Sequence, residues 1–86
     1  MIYVLIVCRS LTYAQRLAAV LEGSGMFAPV VRSPQKIAPT GCSYAVKVKR
    51  SGLSQVLNIL DRAGLPPSPG SVFTDMGEGE YQEVAL

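Results

Sequence analysis

Two cysteines are the only side chains in this 86-residue sequence whose type and setting suit covalent chemistry. There is no histidine, so the commonest general base and the commonest metal ligand are both missing. Cys42 stands in the run Pro39-Thr40-Gly41-Cys42-Ser43. Gly41 permits an open backbone beside the sulfur, and the polar Thr40 and Ser43 argue for exposure. A thiol attacks or carries a group only when it is accessible and partly ionised. The competing reading makes Cys42 a small hydrophobe filling the first position of a strand, because free cysteine is among the most buried residue types. Cys8 closes an apolar run and precedes Arg9-Ser10-Leu11-Thr12, a pattern that suits a buried strand residue and makes it at most a second thiol. Arg9, Arg32 and Lys36 are the cations that could lower a thiol pKa or hold an anion nearby. Each is equally explained as ordinary surface charge.

The elements that must position these residues follow from the hydrophobic pattern. Ile2 to Cys8 is continuous and rich in β-branched residues, as a buried central strand requires. Ser10 or Thr12 can cap a helix, in which Leu11, Ala14, Leu17, Ala18 and Leu21 recur at helical spacing. Gly23 and Gly25 stop it. A second strand is expected over Phe27 to Arg32, at a sheet edge or bulged because Pro29 cannot donate to a ladder. Ser33 to Gly41 reads as a long loop. Ser43 to Lys49 alternates as a strand with one wet face. Ser51 is the expected cap of a second helix with a stripe of Leu53, Val56, Leu57 and Leu60, ended by Gly64, Pro66 and Pro67. Val72 and Phe73 indicate a fourth strand, and 81–86 is either a last strand or a tail. The order predicts an α+β, ferredoxin-like βαββαβ fold: a four-stranded antiparallel sheet with both helices on one face. Residues 1–74 would form this domain, and 75–86 an acidic tail or an added short strand. In that sheet the first and third strands are antiparallel neighbours. Cys8, Cys42 and the start of the first helix then share one rim, where free N–H groups and the helix dipole favour an anion.

Composition narrows the class. Hydrophobic residues make up 49% of the chain, which excludes a disordered chain, and with a net charge of +2 a strong nucleic-acid footprint is not evident. The charge is uneven: eight basic residues against two acidic ones before residue 75, and four acids from Asp75 onward. Lys47, Lys49 and Arg50 with Tyr44 give only a weak hint of RNA binding, without a recognisable base-stacking motif. No stretch is long enough to span a membrane and no secretory leader is evident. A cytoplasmic location is expected, where cysteines stay reduced. Phosphate-loop, zinc and paired-carboxylate motifs are absent.

The stretch from Val31 to Val48, with Ser33-Pro34-Gln35-Lys36-Ile37 leading into Gly41-Cys42-Ser43, resembles the signature of a small bacterial family labelled putative selenium/sulfur carrier protein-like. Ser10-Leu11-Thr12-Tyr13-Ala14 extends the likeness, which covers roughly residues 2–73. Here Ser43 follows the cysteine where glycine is usual, and Gln35 stands where arginine is common. The resemblance implies that Cys42 bears a persulfide or selenosulfide. Lys36, Arg32, Ser10 and Gly41 would stabilise the thiolate, with sulfur or selenium donor and acceptor proteins as partners. Such a carrier needs no cofactor or metal, is no stand-alone enzyme, and calls for neither nucleic acid nor membrane. A rival class is a non-covalent ligand-sensing or protein-interaction module, pairing as a homodimer through edge strands. A Cys8–Cys42 redox pair is a third reading.

Overall fold

The apolar run at the start of the chain has to be shielded on both faces and both edges, and the fold supplies all four. The computed structural model describes residues 2–38 and 43–86. Strand β1 (Tyr3–Cys8) leads to helix α1 (Leu11–Gly23), then β2 (Val30–Arg32) and β3 (Tyr44–Lys49). A 3₁₀ turn (Arg50–Gly52), helix α2 (Leu53–Arg62), β4 (Val72–Gly77) and β5 (Glu80–Glu83) follow. The sheet order is β2-β3-β1-β4-β5, and every pairing is antiparallel. β1 lies in the centre between β3 and β4 (Ile6 is opposite Val46 on one side and Val72 on the other). β2 lies at an edge and begins just after Pro29, whose carbonyl accepts from the Lys47 N–H at 2.9 Å.

The two helices touch each other and both pack on β3, so they share one face. Val4, Ile6, Cys8, Val46, Val48 and Val72 meet Ala14, Leu17, Ala18, Leu21, Val56 and Leu60 there. Burying each large side chain contributes roughly 1.5–3 kcal/mol. Ser10 is the N-cap of α1, its Oγ accepting from the Tyr13 N–H at 3.1 Å. Both helices end alike: Met26 N–H returns to the Leu21 carbonyl and Leu65 N–H to that of Leu60, each at 2.9 Å. Gly25 (φ 80°) and Gly64 (φ 74°) take the left-handed position this closure needs. No helix among the described residues is long and apolar enough to cross a membrane.

The architecture is α+β and broadly ferredoxin-like, with two corrections. The sheet has five strands rather than four. Glu78 (φ 54°) and Gly79 (φ 77°) form a two-residue loop in which both φ are positive, the sign pattern of a type I′ hairpin turn. This turn sends 80–83 back along β4, and the Val84 N–H bonds to the Val72 carbonyl at 2.8 Å. Ser51 does not cap α2. The Arg50 N–H binds the Ile2 carbonyl at 3.0 Å, Arg50–Gly52 form the 3₁₀ turn, and Gly52 takes the N-cap position without a side-chain bond.

Leu5 and Ala45 point away from the helices yet are only 4% and 0% exposed. Leu5 is flanked by Lys47 and Phe73, and Ala45 by Val7 and Val31. Above this face the Lys36 ammonium donates to the Gly79 carbonyl at 2.9 Å, joining the β2–β3 connection to the β4–β5 hairpin.

Asparagine accepts the left-handed region that glutamate resists. Glu78→Asn is therefore expected to raise stability by about 0.5–1 kcal/mol. Gly79→Ala should lower it by a similar amount. Urea midpoints at unchanged m-value check both.

Candidate functional site

Antiparallel pairing brings Cys8 directly opposite Tyr44 and Tyr44 opposite Arg32. The end of β1, the start of β3 and the end of β2 therefore meet at one rim of the sheet. The Ser33 N–H donates to the Ser43 carbonyl at 3.1 Å, which closes the base of the connection between β2 and β3. Inside it, the Pro34 carbonyl accepts from Ile37 at 3.2 Å and from Ala38 at 3.1 Å. Gly41 and Cys42, the expected glycine and carrier thiol, lie outside the described residues. Their neighbours Ala38 and Ser43 line a cavity of about 340 Å³ together with Val7, Cys8 and Arg9.

A second cavity of about 360 Å³ opens on the other side of Cys8, against Arg9, Ser10, Tyr13, Leu17 and Pro67. Ser68 borders both. That part of the rim comes from the α2–β4 connection, which sequence reasoning treated only as a helix stop. It is stitched to the central strand, since the Val7 N–H donates to the Ser71 carbonyl at 2.8 Å and Ser71 Oγ bonds to the Ser68 carbonyl at 2.6 Å. The signal was available. The same topology that puts the end of β1 at this rim puts the start of β4 there.

The electrostatics of the rim are one-sided. Arg9 is exposed and α1 has no acidic residue in its first turn, so the positive end of the helix stays uncompensated. The Arg32 guanidinium stands 5.9 Å from the Tyr44 ring centroid. Ser10 Oγ is held as the helix cap, which leaves its proton free to be donated. The Ser33 and Ser43 hydroxyl oxygens are buried without a hydrogen-bond partner among the described residues. Lys36 is turned elsewhere. Its ammonium is bound to the Gly79 carbonyl and lies 3.8 Å from the Glu80 carboxylate.

Cys8 is a different kind of thiol. It is 3% exposed, its Sγ donates to the Ile6 carbonyl at 3.5 Å, and burial pushes its pKa up to about 11 from 9.0. A protonated, enclosed thiol is a poor nucleophile.

Comparison with known proteins then supplies the decisive observation: the profile of the family described as "Putative Se/S carrier protein-like" matches residues 3–69. The chain belongs to this family. The match runs from β1 through the rim and the whole β2–β3 connection, and it supports a general sulfur- or selenium-carrier role. No curated protein and no solved structure gives a significant match.

Three expectations follow from this carrier-family rim. In native protein near neutral pH, Cys8 should resist maleimide and become reactive in guanidinium, as read by mass after labelling of a Cys42→Ser variant. The raised pKa also fixes a sign. The unfolded thiol ionises first as pH rises through 9.0, so stability falls until about 11. The loss is roughly 2–3 kcal/mol. Cys8→Ala should lack that part of the alkaline slope. The Lys36–Glu80 pair is exposed and contributes at most about 1 kcal/mol. Lys36→Met should therefore leave the urea midpoint nearly unchanged while speeding amide exchange over 33–38.

Proposed function

We propose that this protein carries sulfur or selenium on Cys42. The Cys42 thiolate attacks the terminal sulfane sulfur of a donor protein's persulfide, and the donor's S–S bond breaks. The donor leaves as its thiolate, and Cys42 then bears the terminal sulfur as a persulfide anion. An acceptor nucleophile repeats the step in the other direction and releases the Cys42 thiolate. Selenium follows the same course through a selenosulfide. Electrons balance in each exchange, so neither an oxidant nor a general base is required.

The observation that carries this reading is the family match, which spans the segment holding Cys42. The rim supports it. Arg9, Arg32 and the uncompensated N-terminus of α1 supply a positive field for a thiolate or persulfide anion. Ser10, Ser33 and Ser43 offer hydroxyl donors at the base of that segment. Lys36 contributes as an anchor of the β2–β3 connection, through Gly79, and Gly41 by leaving room for a partner protein to approach the sulfur. Cys8, protonated and enclosed, does not compete for the transferred atom.

Incubation with a cysteine desulfurase and cysteine tests the proposal by intact mass. Wild type and Cys8→Ala should each gain one sulfur atom, removable by dithiothreitol, and Cys42→Ser should gain none. Loading on Cys8, or no loading at all, would overturn it. Undiminished partner binding by Cys42→Ala would then return the protein to the class of non-covalent interaction modules.

A further inference from the structure

A separate constellation lies at the other end of the sheet. Tyr3 opens β1, five residues from Cys8 and about 17 Å away along the strand. It is paired with Lys49 and points to the helix-free face together with Leu5 and Lys47. Phe27 precedes β2, two residues before Pro29, whose carbonyl receives the Lys47 N–H. That register extends Phe27 alongside Lys49. The Tyr3 and Phe27 rings are 6.0 Å apart and tilted by 45°. Lys47 Nζ stands 4.4 Å from the Tyr3 centroid, and Lys49 Nζ 5.8 Å from that of Phe27. Arg50 follows directly and is tied to Ile2.

Two features of this cluster are unexplained by folding. Phe27 is 49% exposed, so its apolar surface is not there for the core. Among the described residues, Lys47, Lys49 and Arg50 have no carboxylate within ion-pair distance. The nearest acid on the face, Asp75, lies on the far side of Tyr3 and accepts from the Gly77 N–H at 2.9 Å. The cations are thus on one flank only, beside the rings.

We infer that this face binds single-stranded nucleic acid. A base stacks on the exposed ring of Phe27, whose tilt is fixed by Tyr3. Lys47, Lys49 and Arg50 take the phosphates on the β3 side, while Asp75 and the acidic hairpin keep the backbone from crossing to β4. Interleaved aromatic platforms and cations are what sequence-tolerant single-strand binding requires. A purely acidic protein partner would use the cations but has no use for an exposed phenylalanine between them. The expectation from sequence that nucleic acid plays no part rested on the near-neutral net charge and on finding no aromatic motif. This pair is assembled from elements 24 residues apart, which no linear motif shows. The inference is independent of the chemistry at Cys42.

Fluorescence anisotropy with a labelled oligouridylate dodecamer, on the full chain at low salt, tests it. Binding should weaken about fivefold or more in Phe27→Ala, whose exposed side chain can be removed without touching the core. In Lys47→Gln/Lys49→Gln, affinity should fall and the log–log salt slope should shrink by about 1.4. Lys36→Gln, outside the cluster, and Cys42→Ser should bind as wild type does. A blunt duplex should bind more weakly than the single strand. Absence of binding, an unchanged affinity in Phe27→Ala, or displacement of the oligonucleotide by polyglutamate at equal charge would overturn the proposal.

Discussion

Everything in this molecule hangs on β1 being shielded on all sides. Val4, Leu5 and Ile6 are successive residues, and all three are buried. A strand with alternating apolar residues needs only one covering layer, whereas this one needs two and two pairing partners besides. The helices meet the even-numbered side and β3 and β4 meet the edges. The odd-numbered side has no helix over it and is flanked by long neighbours such as Lys47 and Phe73, with Lys36 of the β2–β3 connection reaching above it to Gly79. In a chain of 86 residues, where the surface-to-volume ratio limits the core, that economy leaves both ends of the strand available for other work.

The two ends are chemically unlike. At the Cys8 end, backbone donors, a helix terminus, hydroxyls and arginines surround cavities large enough for a small group. At the Tyr3 end there are rings and ammonium groups on an open face. The two cysteines differ for the same positional reason. Cys8 alternates inward with Val4 and Ile6 and is desolvated. Cys42 belongs by sequence to the connection between β2 and β3 and lies outside the described residues.

What could be read from sequence was whatever depended on local pattern or adjacent register. The β1 run, the Ala14–Leu17–Leu21 stripe, the edge position after Pro29 and the meeting of Cys8 with the start of β3 all fall in this group. The fifth strand stayed undecided between a strand and a tail, because Glu80-Tyr81-Gln82-Glu83 is too polar to display an apolar alternation and is held by a turn whose glutamate conceals its type. Ser51 misled because a serine before an apolar stripe is a good local cap signal, while the helix start was set by a distant bond to Ile2. Lys36 was placed correctly on the loop, yet its partner lies 43 residues away. At the site, topology gave the rim, but the fourth strand read at Val72 and Phe73 was not followed back to it, so Ser68 to Ser71 were missed.

That long-range bond also orders the assembly of the protein in time. β1, α1, β2 and β3 can find one another within the first 49 residues. The connection before β3 is closed at its base between Ser33 and Ser43, but Lys36 gains its bond to Gly79 only once the β4–β5 hairpin has been made. Closing a loop of 43 residues costs entropy that is recovered only when the sheet is complete. A nascent chain would present a paired β1–β3 ladder before Lys36 has its bond to Gly79.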